Sequence, residues 1–155
     1  MAAYRAAVDW RLEAGAQDFL AGRYGRGHTA RFGSGVAVPA TASAHVVGSR
    51  WAADGAVDPE EMFVGAVVSC HMLSFLHVAR LAGFVVAAYR DEGEGVLGKT
   101  AEGRVHVARV TLRPQVDYAG AAPGAEEAAR LHHLAHEACF IANSITTEVT
   151  VAPTS

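Results

Sequence analysis

From Tyr4 to Leu12 ("YRAAVDWRL") polar and apolar positions alternate, the two-residue period of a strand with one covered face. A glycine-rich stretch, "AGRYGRGHTARFGSG", leads into a second strand near residues 36–42, so the opening predicts antiparallel hairpins. The period changes at "VDPEEMF". Asp58 stands as an N-cap, Pro59 takes the first helical position, and Glu61 completes a capping box, which together predict a helix start. Within that helix Phe63, Ala66, Val67, Cys70, Leu73 and His77 keep helical spacing, which puts Cys70 on the stripe facing the core or a partner. Gly83 is its predicted end. Residues 84–90 and 104–118 read as strands, with turns around "EGEG" and "AEGR". A second helix is predicted from Ala125 to Ile145, with a seam of Ala128, Leu131, Ala135, Ala138, Ala142 and Ile145. "TTEVTV" reads as a closing strand. The order predicts a single α+β domain over residues 1–155 with segregated elements.

Composition narrows the classes. A chain of 155 residues, 51% hydrophobic and 19% charged, is globular, and a net charge of -3 gives no electrostatic footprint for nucleic acid. Met62 to Ala79 is 18 residues without Asp, Glu, Lys or Arg, the length at which a membrane span is considered. Two histidines, two serines, a cysteine and the capped start favour a central buried helix, so no membrane association is expected. The first residues carry charges throughout and lack the apolar centre of a secretory signal, an expectation of cytoplasmic location.

The chain has two cysteines, Cys70 and Cys139, 69 positions apart and outside any CxxC pair. In a reducing compartment a bond between them would be transient and catalytic rather than structural. A reactive cysteine must be a thiolate, and the free thiol ionises near pH 8.5, so something must hold the negative charge. Cys70 lies about 15 Å past the helix start, beyond the reach of the helix dipole. A cation from elsewhere is required, and Arg23, Arg26 and Arg31 stand in the glycine-rich stretch.

The string "DPEEMFVGAVVSCHML", followed some 70 residues later by "HEACFIANSI", resembles the osmotically inducible protein C and organic hydroperoxide resistance (OsmC/Ohr) superfamily. The resemblance runs from about Val36 to Val151. It implies an OsmC-like fold of antiparallel sheets with two long central helices, and a thiol peroxidase of the antioxidant stress response. Cys70 matches the peroxidatic cysteine, Cys139 the resolving cysteine, and Glu60 the glutamate ten residues before the first. The family arginine that pairs with this glutamate and steadies the thiolate is matched best by Arg26, with Arg23 and Arg31 as rivals. On one straight helix Glu60 and Cys70 are about 15 Å apart and cannot share an arginine. A carboxylate beside the thiol must then come by a bend or from a second subunit, which predicts a homodimer with its sites at the interface, in agreement with the family's intertwined dimer. The implied chemistry is attack of the Cys70 thiolate on a hydroperoxide, condensation of the sulfenic acid with Cys139, and reduction of the disulfide by an external dithiol, such as a lipoyl-bearing protein. The apolar neighbours Phe63, Val67 and Leu73 predict a preference for organic hydroperoxides.

Two other readings stay open. His132 and His136 are four apart, Cys139 is three further, and His71 is a possible fourth ligand, the spacing of a metal-binding face. A non-catalytic small-molecule binding module on the same fold is the third, since fold does not fix function. His28, His45, His77, His106 and His133 read as surface or partly buried residues, and Trp10 and Trp51 as packing or interface residues. No phosphate loop, dinucleotide fingerprint or Ser-His-Asp context is present, so no cofactor is expected.

Overall fold

The computed structural model describes residues 1–152, which divide into two compact units, Met1–Met62 and Phe63 onward. In the first unit β1 (Ala6–Asp9), β2 (His28–Phe32) and β3 (Ala37–Ala40) form an antiparallel sheet in that order. β2 was not foreseen: it lies inside the glycine-rich stretch that reads as a connection. Two short helices, α1 (Ala16–Leu20) and α2 (Ala44–Val47), are also additions to the predicted set. Only Ala30, Ala40 and Thr41 of this unit are buried, so its sheet has no apolar core.

Helix α3 (Pro59–Leu81) starts as predicted. The Glu61 amide donates to the Asp58 carboxylate at 2.8 Å, and the Asp58 amide donates back to Glu61 at 3.1 Å, so two amide donors that the helix start leaves free are satisfied. It ends as predicted too: Gly83 takes φ 85°, which only glycine adopts readily, and Phe84 N–H closes on the Ala79 carbonyl at 3.0 Å.

The second unit carries β4 (Val86–Arg90), β5 (Glu94–Lys99), β6 (Val105–Leu112), β7 (Gln115–Tyr118), α4 (Ala125–Ala138), a 3-10 turn (Ala142–Ser144) and β8 (Glu148–Val151). β4 and β7 form an antiparallel ribbon. β5, β6 and β8 form a second sheet in which β5 is antiparallel to β6 and β8 joins β6 in parallel. The predicted strand over 104–118 is therefore two strands split before Gln115. "EGEG" is not simply a turn, because its second half begins β5. Its glycines are there for α3: a Cβ on Gly93 would stand 2.4 Å from Val68 Cγ2, and one on Gly95 2.5 Å from Val64 Cγ2. The helix lies against the strand because these positions have no side chain.

Two apolar clusters fill this unit. Phe75 and Ala79 of α3 meet Leu131 and Ala135 of α4, while Val67 meets Val110 and Leu112 of β6. The buried stripe of α3 is thus Val67, His71, Phe75 and Ala79. This corrects the predicted stripe of Phe63, Ala66, Val67, Cys70, Leu73 and His77, of which only Val67 is buried; Leu73 is 60% exposed. A helix with so little polar face has nothing to set its phase, so spacing alone placed the stripe one to two positions early beyond Val67.

Candidate functional site

The two cysteines, distant in sequence, come together. Cys70 sits half-buried in the middle of α3, and Cys139 is the C-cap of α4, 1% exposed. Cys139 occupies this place because α4 stops there and not at Ile145 as predicted. The chain turns extended at Cys139 (φ -76°, ψ 110°), and residues beyond it satisfy the freed carbonyls: Asn143 Nδ2 donates to Glu137 O at 2.9 Å, and Asn143 N–H to Cys139 O at 3.0 Å. The Ala142 amide points at Cys139 Sγ, 3.4 Å away.

Burial pushes the Cys139 thiol above the ordinary cysteine range, and the hydrogen bond and charge of the neighbouring Cys70 thiol push the same way. Cys139 is therefore held as a protonated thiol, which is unsuited to first attack on a peroxide.

His71 follows Cys70 on the helix but points inward, 1% exposed. Its Nε2 lies 3.1 Å from His132 Nδ1 on α4, with the two rings parallel within 8° and their centroids 5.4 Å apart. His132 also stacks on Phe75 at 4.3 Å, so α4 inserts this ring between two α3 side chains one turn apart. His71 Nδ1 has no hydrogen-bond partner among the described residues. Burial, then the fields of His132 and His136, lower the His71 pKa to about 4, and burial lowers that of His132. Both rings are neutral at pH 7. Among the described residues no group of three or more His, Cys, Asp or Glu side chains is placed to hold a metal ion. The predicted ligand face of His71, His132, His136 and Cys139 is thus not assembled: His71 and His132 bond to each other, and Cys139 faces Cys70.

In the first unit the three candidate arginines separate. Arg23 makes an ion pair with Asp18 at 2.7 Å, and Arg31 one with Asp9. Arg26 makes none among the described residues; its guanidinium lies 3.5 Å over the Tyr24 ring and donates to the carbonyls of Gly22 and Tyr24. Glu60, in the first turn of α3, also makes no ion pair there. Beside Arg26, Trp10, Phe19 and Tyr24 contact one another at centroid distances of 4.6 to 6.2 Å and wall a cavity of about 400 Å³. These three rings were missed from the sequence, where Trp10 reads as a packing residue and the others lie in a stretch without periodicity.

The family model described as OsmC-like protein matches residues 52–154. No curated protein matches the chain. Among solved structures, an OsmC-like protein of unknown function from Vibrio cholerae is 42% identical over 98% of this chain and 99% of its own, with a TM-score of 0.90. An organic hydroperoxide resistance protein OsmC from Legionella pneumophila is 20% identical over 99% of this chain and 100% of its own (TM-score 0.67). The organic hydroperoxide resistance protein OhrB of Bacillus subtilis is 20% identical over 95% and 96% (TM-score 0.64). These two bear on the fold, α+β with antiparallel sheets and two longer helices.

Proposed function

The chain belongs to the OsmC-like protein family, and from that premise we propose that it is a thiol peroxidase that reduces organic hydroperoxides through Cys70 and Cys139. The observation that carries this reading is the meeting of two thiols 69 positions apart, one half-buried and one buried and held protonated. Cys70, as thiolate, attacks the outer peroxide oxygen; the O–O bond breaks, the alcohol leaves with a proton, and Cys70 becomes a sulfenic acid. Cys139 attacks that sulfur, the S–O bond breaks, water leaves, and a Cys70–Cys139 disulfide remains. An external dithiol, such as a lipoyl group, returns both thiols by exchange.

Arg26 is the arginine we assign to the thiolate, since Arg23 and Arg31 are engaged by aspartates, and Glu60 is its carboxylate partner. The two residues meet Cys70 in a homodimer. Exposed apolar side chains support the dimer. Leu73 and Leu81 of α3 and Phe140 beside Cys139 are among the large apolar side chains left exposed. α3 has the length and hydropathy of a membrane span with only 22% of that window buried, and a second copy gives its apolar surface a protein partner instead. We assign the single OsmC-like domain of residues 1–155 to the cytoplasm, where a dithiol reductant is available.

The test is steady-state turnover with a lipoyl dithiol as reductant. Reduction of cumene hydroperoxide at least tenfold faster than hydrogen peroxide is expected; no turnover of either with any dithiol overturns the proposal.

A further inference from the structure

We propose that the His71–His132 pair is a positioning device that fixes α4 on α3 at the axial position where the Cys70 and Cys139 sulfurs can join. Its part in turnover rests on the peroxidase reading above, but the geometry it controls is a property of the two thiols alone.

Cys70 immediately precedes His71 on α3. Cys139 ends α4 seven residues, two turns or about 10 Å, after His132. The other buried contacts between the two helices, on the C-terminal side of His71 along α3, are apolar: Phe75 and Ala79 against Leu131 and Ala135. Apolar contacts are tolerant of sliding, whereas a hydrogen bond of 3.1 Å between ring nitrogens is not. The stacking adds a second restraint, because His132 is held between His71 and Phe75 and cannot shift along α3 without losing one of them. A disulfide demands a narrow geometry, with its Cβ atoms about 3.5–4.5 Å apart, so an axial slip of α4 by even 1–2 Å removes it.

The pair is also poor as a source of stability. One imidazole is withdrawn from water and a second is half-buried for one mutual bond, and His71 Nδ1 is left with no partner among the described residues. An apolar side chain would fill the same place without that penalty. A buried polar contact that costs stability and constrains geometry fits a positional role beside the thiols better than a packing one.

The experiment reads the dithiol without any peroxide. The full-length protein is equilibrated in glutathione buffers, where two protein thiols and one glutathione disulfide give the Cys70–Cys139 bond and two reduced glutathiones, and the effective concentration of the thiol pair is obtained from the trapped ratio. His71→Phe keeps a ring against His132 and deletes the bond; the expected result is a thermal midpoint equal to or above that of the native protein with an effective concentration at least tenfold lower. His71→Gln, whose amide reaches as far as the lost Nε2, is expected to restore it to within threefold. An unchanged effective concentration in His71→Phe, or one that simply follows stability in both variants, overturns the proposal. Should His71→Phe not fold, His132→Leu deletes the same bond from the less buried side and is read by the same two criteria. A protein inert to hydroperoxides would fail the proposed function and still report on this pair.

Discussion

Because His71 is buried, neutral and deprived of water, acid should destabilise the fold through this one ring. Its pKa falls from 6.5 when free to about 4 when folded, so between those values the unfolded chain binds a proton that the native state refuses. The slope of stability with pH follows the excess of protons bound by the unfolded state; stability from this group is therefore complete above pH 6.5 and is lost as pH falls towards 4. At pH 4.5 the loss works out at about 2.5 kcal/mol, and the full shift corresponds to about 3 kcal/mol. His132, lowered by burial, acts in the same direction. Asp91 opposes them, because burial raises its pKa and favours the fold at low pH. The contribution of His71 is isolated by comparison with His71→Gln, which keeps a donor but does not titrate in this range. Urea unfolding of both proteins at pH 7.5 and 4.5 should show the native midpoint falling by about 1 M more than the variant's, at a slope of 2 to 3 kcal/mol per M. Equal falls in the two proteins would refute the placement of His71 as a buried neutral base.

Three further outcomes follow from particular contacts. Gly95→Ala places a methyl 2.5 Å from Val64 Cγ2, and a β-branched helical side chain has one preferred rotamer, so thermal unfolding should show destabilisation of about 1–3 kcal/mol. Arg26→Ala should lower kcat/KM for cumene hydroperoxide at least tenfold, while Arg23→Ala, whose guanidinium is held by Asp18, should stay within threefold; equal losses would dissolve the distinction between them. Leu73→Glu puts a charge on an exposed apolar face of α3 and is expected to shift the mass in solution from dimer to monomer, as measured by light scattering at micromolar concentration.

The parts of the fold legible in the sequence are those fixed by neighbours in the chain. The start of α3 is set by Asp58 and Glu61 acting across one turn, and its end by the left-handed Gly83, so both could be read locally. The end of α4 could not, because it is made by Asn143 reaching back six residues to the Glu137 carbonyl without a glycine or proline to announce it. β5 was obscured by glycines that read as turn residues, although they serve the approach of Val64 and Val68 from another element. The candidate cysteines were legible as residues, but the inward turn of His71 was not, since the apolar residues of α3 are spread around the helix and mark no single inward face. The ion pairs that set Arg23 and Arg31 apart from Arg26 were not legible either, because it is the fold that brings Asp18 and Asp9 to them.

Oxidation of the Cys70–Cys139 pair is followed most directly by intact mass and thiol counting when the reduced protein receives one equivalent of cumene hydroperoxide. The native chain should lose both thiols and about 2 Da. Cys139→Ser should instead gain one oxygen as a sulfenic acid that dimedone traps, and Cys70→Ser should not react. Survival of both thiols in the native protein, or equal oxidation of Cys70→Ser, would contradict the pairing of Cys70 and Cys139 as attacking and resolving groups.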